Sequence, residues 1–446
     1  VTKKADDLAR TLAPPVRSRW AMVGGVLALT CAASLTVGAS AAVAADDLSD
    51  EGLWYYTATG IEQAHQTTTG EGVTVAVIDE GINPAVPELQ GADLTVHEPS
   101  YCALERGGDL LPAAVTDESA LHGTSMTSLI VGNGVGANGQ RGVQGVAPGV
   151  RLLFYRSLAP ACVQDSGYTS GDAIRQAVDD GADIINASWG SESVMADVAP
   201  GDIAYALAHD VIVVAAAPNA SGPSLPTYPI SYNGVVGVAA GRVDGQVSDL
   251  VVSADFVDVI APGVDIRALT SEADWSVYEL KSGTSGATAY TSGVLALVWS
   301  AYPQATANQI LQSLIRNTGS EDHELGWVDL WGYGTVNVRH MLANDPTQYP
   351  DVNPLLSEDG SPSPADVDAA REVVTPTPSV TATQGASDAP SSPAVEADSG
   401  GGGLLVAGVG VLAVVLAGVV TALVIARRRR LAHDLPTSVD HPSTGA

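Results

Sequence analysis

Basic residues are scarce in this chain: 20 Lys and Arg stand against 50 Asp and Glu, a formal net charge of −30 over 446 residues. Binding a phosphate backbone needs a basic face, so nucleic-acid binding is excluded as a main function. The surplus acid serves solubility; an acidic face that recruits a basic substrate is the alternative. Cysteine is almost missing, with 3 in all, which rules out a disulfide-rich scaffold. The 8 His are scattered and Cys102 and Cys162 are far apart, so no metal-ligand spacing emerges. No glycine-rich phosphate loop is present either, and neither metal nor cofactor is expected. Phe occurs only 2 times while Gly occurs 47 times, and Ala and Val are abundant. A core built from such residues suits a Val-rich sheet with small-residue turns. The apolar share, 46%, is enough for one large domain with appendages or for two domains.

The two ends read as addresses. Arg17 and Arg19 precede an apolar run that closes on Ala42-Val43-Ala44. A positive flank, an apolar core and a small-residue end describe a secretory signal peptide over 1–44, with an uncleaved anchor helix as the alternative. Cys31 lies inside it and would be removed. The stretch 404–426, from Leu404 to Ala426, is apolar or small throughout, Thr421 being its only hydroxyl. It is long enough to cross a bilayer. Arg427 to Arg430 follow at once and read as a stop-transfer signal kept in the cytoplasm. The chain is thus expected at the cell membrane as a single-pass protein, its main domain outside and a tail, 427–446, inside. Residues 346–403, rich in Pro, Ser, Thr and Gly, cannot build a core and read as a spacer. Residues 45–69 are too few for a separate domain and are expected to pack on the main body, 70–345, as an arm.

Within 70–345, short Val/Ile-rich runs alternate with helical ones. Strands are expected at Val73–Ile78, Arg151–Tyr155, Asp183–Asn186, Val211–Ala216, Val235–Ala239 and Val257–Ile260. Helices are expected at Gly123–Gly132, Gly171–Asp180, Ala199–His209, Ala287–Ala301 and Ala307–Asn317. This alternation predicts an α/β domain with a mainly parallel sheet covered on both faces. Functional residues of such sheets gather at the carboxyl ends of strands and on the helices that follow. Asp79 closes the strand VTVAVID, His122 opens the helix LHGTSMTSLIVG, Ser285 opens the helix after KSGT, and Asn219 follows VIVVAAAP.

A serine at a helix start is most often only a cap. Asp79, His122 and Ser285 together ask for more. A hydroxyl becomes nucleophilic when an imidazole takes its proton and a carboxylate holds that imidazole in the right tautomer. The oxyanion then needs donors, which the Ser285 backbone N–H and the Asn219 amide can supply. The segment IINASWG reads as a strand edge to which a peptide could add, so Ser188, Trp189 and Gly190 are candidate substrate contacts. For Trp189, plain core packing is the competing role.

VTVAVIDEG, LHGTSMTSLI, GVAPGVRLL, GADIINASWG, VVAAAPNASG, DVIAPG, KSGTSGATAYTSGVLAL and WGYGTVNV follow the order found in subtilases, the subtilisin-like serine peptidases. The likeness runs over about 54–342 and implies a subtilisin-like three-layer domain. It implies Asp79 as the triad aspartate, His122 as base, Ser285 as nucleophile and Asn219 as oxyanion residue. The layout of leader, subtilase domain, Pro-rich spacer, one C-terminal helix and short basic tail resembles mycosins. These are membrane-anchored actinobacterial peptidases associated with type VII secretion. Three positions depart from the family pattern: Glu80 where Thr or Ser is usual, Pro218 where Gly is usual, and Ala289 in place of Pro. Calcium is common among subtilases, but no loop of carboxylates here suits it. In an exported domain Cys102 and Cys162 would pair across loops flanking the His122 helix; two free thiols are the alternative.

The expected function is a membrane-anchored extracytoplasmic serine endopeptidase acting on protein or peptide substrates, associated with a secretion-system membrane complex. One rival is a structural component of such a complex, keeping the fold with weak or no activity. The other is an esterase using the same triad, which the peptide-edge motif disfavours.

Overall fold

Consecutive residues of the strand Thr74–Asp79 (β1) enter two different cores. Val75 and Val77 pack on one side of the sheet and Ala76 and Ile78 on the other, all fully buried. Side chains alternate across a strand, so a continuous apolar run is what a strand covered on both faces requires. The same alternation recurs in Leu152 and Phe154 against Leu153 and Tyr155, and in Ile212 and Val214 against Val213 and Ala215.

The computed structural model describes residues 51–157, 162, 168–189, 197–219, 226–249, 255–271, 275–319 and 324–374. The further strands are Asp93–Val96 (β2), Asn133–Val135 (β3), Arg141–Gln144 (β4), Arg151–Arg156 (β5), Ile184–Ala187 (β6), Ile212–Ala216 (β7), Val236–Gly241 (β8), Val259–Pro262 (β9), Ile266–Leu269 (β10) and Tyr278–Lys281 (β11). The helices are Trp54–Thr57 (α1), Ile61–Ala64 (α2), Leu121–Val131 (α3), Ser170–Asp179 (α4), Pro200–Ala208 (α5), Thr284–Ala301 (α6), Ala307–Arg316 (α7), Val338–Ala343 (α8) and Pro364–Val374 (α9). A seven-stranded sheet runs in the order β2-β5-β1-β6-β7-β8-β9, every pairing parallel. Helices α3 and α6 cover one face, α4 and α5 the other. Two antiparallel pairs, β3-β4 and β10-β11, stand apart from the main sheet.

Helix α6 is buried from Gly286 through Val298. Its small residues let the sheet side and the neighbouring loops close in: a Cβ at Gly293 would lie 2.7 Å from Val146 Cβ. Gly52, Trp54 and Tyr55 contact the body. Trp54 Nε1 donates to Val264 O at 3.0 Å, Tyr55 OH to Gln144 O at 2.7 Å, and Arg267 N to Gly52 O at 3.0 Å.

The folded unit runs past the boundary expected at 345. Helix α9 packs on α5, with Val367 and Ala370 against the second core and Arg371 Nε donating to Ala208 O at 3.2 Å. Asn233 Nδ2 holds the preceding segment through Ser357 O and Pro362 O, both at 2.8 Å. The start of the spacer is therefore structured; composition alone had hidden a capped helix there. Cys102 and Cys162 form a disulfide with a Cα–Cα distance of 5.1 Å. Among the described residues no helix is long and apolar enough to cross a membrane. The expected leader, 1–44, and the apolar stretch 404–426 with its basic tail lie outside the described residues.

Candidate active site

Parallel pairing places the ends of β1, β6 and β7 side by side, and the expected residues gather there. Asp79 is the last residue of β1 and is 1% exposed. His122 is the second residue of α3. Its Nδ1 donates to Asp79 Oδ1 at 2.7 Å; an ionised carboxylate only accepts, which fixes the proton on Nδ1. The backbone N–H of Glu80 donates to the same Oδ1 at 2.8 Å. Asp79 Oδ2 is buried and has no hydrogen-bond partner among the described residues. The residue after His122 must be glycine for steric reasons: a Cβ at Gly123 would sit 2.3 Å from Gly81 O and 2.8 Å from Phe154 Cζ. That close approach seats α3 on the loop leaving β1.

Ser285 stands in the first turn of α6. Its Oγ donates to Ser188 O at 2.8 Å, and Ser188 Oγ donates back to Ser285 O at 3.1 Å. Among the described residues no hydrogen bond joins Ser285 Oγ to His122, so the resting hydroxyl is parked on the end of β6. Asn219 is exposed just beyond β7. Its Oδ1 accepts from Thr284 N at 2.9 Å and from Thr284 Oγ1 at 3.2 Å. With the carbonyl committed to the start of α6, the Nδ2 group is the donor left for a ligand. His122, Asn219, Ser285 and Gly283 all line one cavity of about 420 Å³.

The electrostatics of the pair are strong. Burial pulls the His122 imidazole down, but the Asp79 charge, its hydrogen bond and the Glu80 charge outweigh burial and push it up to about 9. The Glu80 carboxyl is itself raised, by burial and then by the Asp79 charge, against the lowering influence of His122 and Arg156. Arg156 is a residue that motif reading missed. It is paired in register with Asp79 at the end of β5, is buried, and donates to Pro112 O at 2.7 Å and Ser119 Oγ at 3.3 Å. A charged residue closing the apolar run LLFY beside the Asp79 strand was the available signal.

The substrate-edge candidates divide. Ser188 is buried and serves as the link to Ser285 just described. Trp189 packs against the second core and donates from Nε1 to Ile78 O at 3.1 Å, so packing is a part of its role. Gly190 lies outside the described residues. Pro218 is half-buried between β7 and Asn219, and Ala289 is fully buried in the first core. Among the described residues of the arm, none lines the cavity at Ser285. Among the described residues no group of three or more His, Cys, Asp or Glu is placed to hold a metal ion.

Residues 70–334 match the subtilase family. The chain is 31% identical over 330 residues to fervidolysin of Fervidobacterium pennivorans, covering 68% of this chain and 45% of that protein. It therefore spans less than half the length of that relative. MycP1 from Mycobacterium smegmatis is 26% identical, with a TM-score of 0.52, covering 67% of this chain and 86% of that one. A second MycP1 structure, described as a serine protease and an essential component of the type VII (ESX-1) secretion system, is 26% identical with a TM-score of 0.53, covering 66% and 89%. The family match covers more than half of the chain, and the chain belongs to the subtilase family.

Proposed function

We propose that this protein is a serine endopeptidase that acylates Ser285. The observation that carries the reading is the Asp79–His122 hydrogen bond of 2.7 Å opening onto the cavity that Ser285 and Asn219 also line. For reaction, Ser285 turns about its Cα–Cβ bond from Ser188 O toward His122 Nε2, a change between staggered rotamers. His122 takes the hydroxyl proton as Oγ attacks the peptide carbonyl, and Asp79 stabilises the imidazolium. The oxyanion takes hydrogen bonds from Asn219 Nδ2 and from the Ser285 N–H, one of the unpaired amides at the start of α6. His122 then returns the proton to the leaving amine, and water repeats the sequence on the acyl-enzyme. The acyl half of the peptide lies along the end of β6 at Ser188 and Trp189.

The same reading places the domain outside the cell membrane, led there by residues 1–44 and held by 404–426 with Arg427 to Arg430 inside. The mycosin neighbours support an association with a membrane secretion complex. A second reading, a structural component with little activity, is favoured by one observation: the hydroxyl of Ser285 rests on Ser188 O. Digesting a peptide mixture with the full chain in membranes, beside Ser285→Ala, separates the two. Cleavage products that vanish in the variant support the peptidase. Identical peptide maps from both, with a normal cellular phenotype for Ser285→Ala, would hand the case to the structural role.

A further inference from the structure

Ser285 has two flanks, and only one is used by the mechanism above. On the first, Ser188 O approaches Oγ to 2.8 Å and the acyl half of the substrate is assigned. On the second, α3 and the β10–β11 hairpin face each other across the bulk of the 420 Å³ cavity. Its walls are Met126 from α3 and Ile266, Ala268 and Leu269 from β10. The floor is the bare backbone of Gly286, immediately after the nucleophile. A Cβ there would fall 2.5 Å from Ile266 Cδ1, so glycine lets Ile266 settle directly on the start of α6 with no side chain between.

Hydrogen bonds fix the walls in place. Ser125 Oγ donates to Leu269 O at 3.2 Å, tying α3 to β10. On β11, the Tyr278 hydroxyl accepts from Ala137 N at 3.1 Å and donates to Glu88, while the Arg267 guanidinium lies 4.5 Å over its ring. The arm props the same hairpin through Gly52 O. Lys281 also lines the cavity, so apolar walls with one cation at the cavity favour an apolar side chain and reject a basic one, which would lose its water without gaining a partner.

We propose that this cavity receives the side chain immediately after the scissile bond and selects an aliphatic residue of the Leu, Ile, Met or Val class. The proposal rests on the peptidase reading, because only acylation at Ser285 gives the cavity a leaving-group side. Burying a leucine side chain in place of glycine gives a preference of about 10- to 100-fold.

Acyl transfer measures that side directly. The full chain in detergent is acylated with a peptide ester, and amino-acid amides then compete with water for the acyl-enzyme. The α-amino nitrogen of the amino-acid amide attacks the carbonyl of the Ser285 acyl ester, the new C–N bond forms, the C–Oγ bond breaks, and His122 carries the amine proton to Oγ. Leucinamide should be incorporated about 10- to 100-fold faster than glycinamide, and faster again than lysinamide. Ala268→Phe, which fills the pocket, should bring the leucinamide-to-glycinamide ratio to about one or below. That ratio is internal to each protein, so a slower variant is still informative, and Leu269→Gln gives a second reading if Ala268→Phe does not fold. A wild-type ratio near one, a preference for a charged amide, or a ratio untouched in either folded variant overturns the proposal. Absence of any Ser285-dependent ester turnover would instead overturn the peptidase reading, and the pocket assignment with it.

Discussion

In the proposed mechanism the ionisation of His122 sets the pH at which Ser285 can be activated. With the imidazole pushed up to about 9, the neutral form able to accept a proton is about 1% of the resting enzyme at pH 7 and about half at pH 9. Acylation should therefore rise about tenfold per pH unit up to pH 8 and about 50-fold between pH 7 and 9. Three influences hold the imidazole up against burial: the Asp79 charge, the hydrogen bond to it, and the Glu80 charge, in that order. Glu80→Gln removes the weakest of them. Its midpoint should move down toward the ordinary histidine range, by less than the removal of the Asp79 charge would achieve, and activity at pH 7 should increase. The assay is the second-order rate of acylation by a fluorogenic ester across pH 5.5 to 10, in membranes, for wild type and Glu80→Gln. A wild-type profile already flat between pH 7 and 9, or a Glu80→Gln midpoint above the wild-type one, would refute this reasoning.

Three further outcomes follow from the geometry. Asn219→Ala should lower turnover by about 10²- to 10³-fold, the cost of losing one oxyanion donor in subtilisin, with KM changed much less; equal losses in both parameters would point to a displaced α6 start, since Thr284 N also loses its acceptor. Cys102→Ser should cost about 2–4 kcal/mol in denaturant unfolding, because the bond closes a loop of sequence separation 60, and an unchanged midpoint would show that the bond does not form in the protein as made. Asp258, raised to about 7 chiefly by burial with a partial offset from the Gly237 N–H at 2.8 Å, is an acid whose folded value lies above its unfolded one. The folded state then holds the proton more tightly, so stability falls as pH climbs from about 4 to 7. Asp258→Asn should be more stable than wild type above pH 7 and gain little at pH 4; a gain of the same size at both would dissociate it from ionisation.

The strands of the main sheet were legible because burial on both faces demands unbroken apolar runs, and β1, β5, β6, β7, β8 and β9 all carry them. The strands that went unread are short: β2, the β3–β4 pair and the β10–β11 pair, of which β2, β3 and β11 bury none of their side chains. Asp79, His122, Ser285 and Asn219 were readable because each stands at an element end beside turn-forming or small residues. The resting bond of Ser285 was not, since it depends on where the carbonyl of a residue 97 positions away comes to lie. Helix α9 was concealed by a Pro- and Ser-rich surrounding, yet its start carries a local cue. Ser363 Oγ donates to Asp366 Oδ2 at 2.7 Å and accepts from Asp366 N at 3.3 Å, the Ser-x-x-Asp pattern that begins many helices. The aliphatic pocket could not be read from sequence at all, because its walls come from α3 and β10, and nothing local says that Gly286 brings them to one floor.

The central claim is that Ser285 is an activated nucleophile. The most direct measurement is labelling of the full chain with a fluorophosphonate probe at pH 9, with the modified residue mapped by mass spectrometry and Ser285→Ala as control. The account predicts stoichiometric labelling on Ser285, weaker at pH 7 and absent in the variant. A folded, disulfide-intact protein that stays unlabelled at pH 9, or carries the probe on another residue, contradicts it.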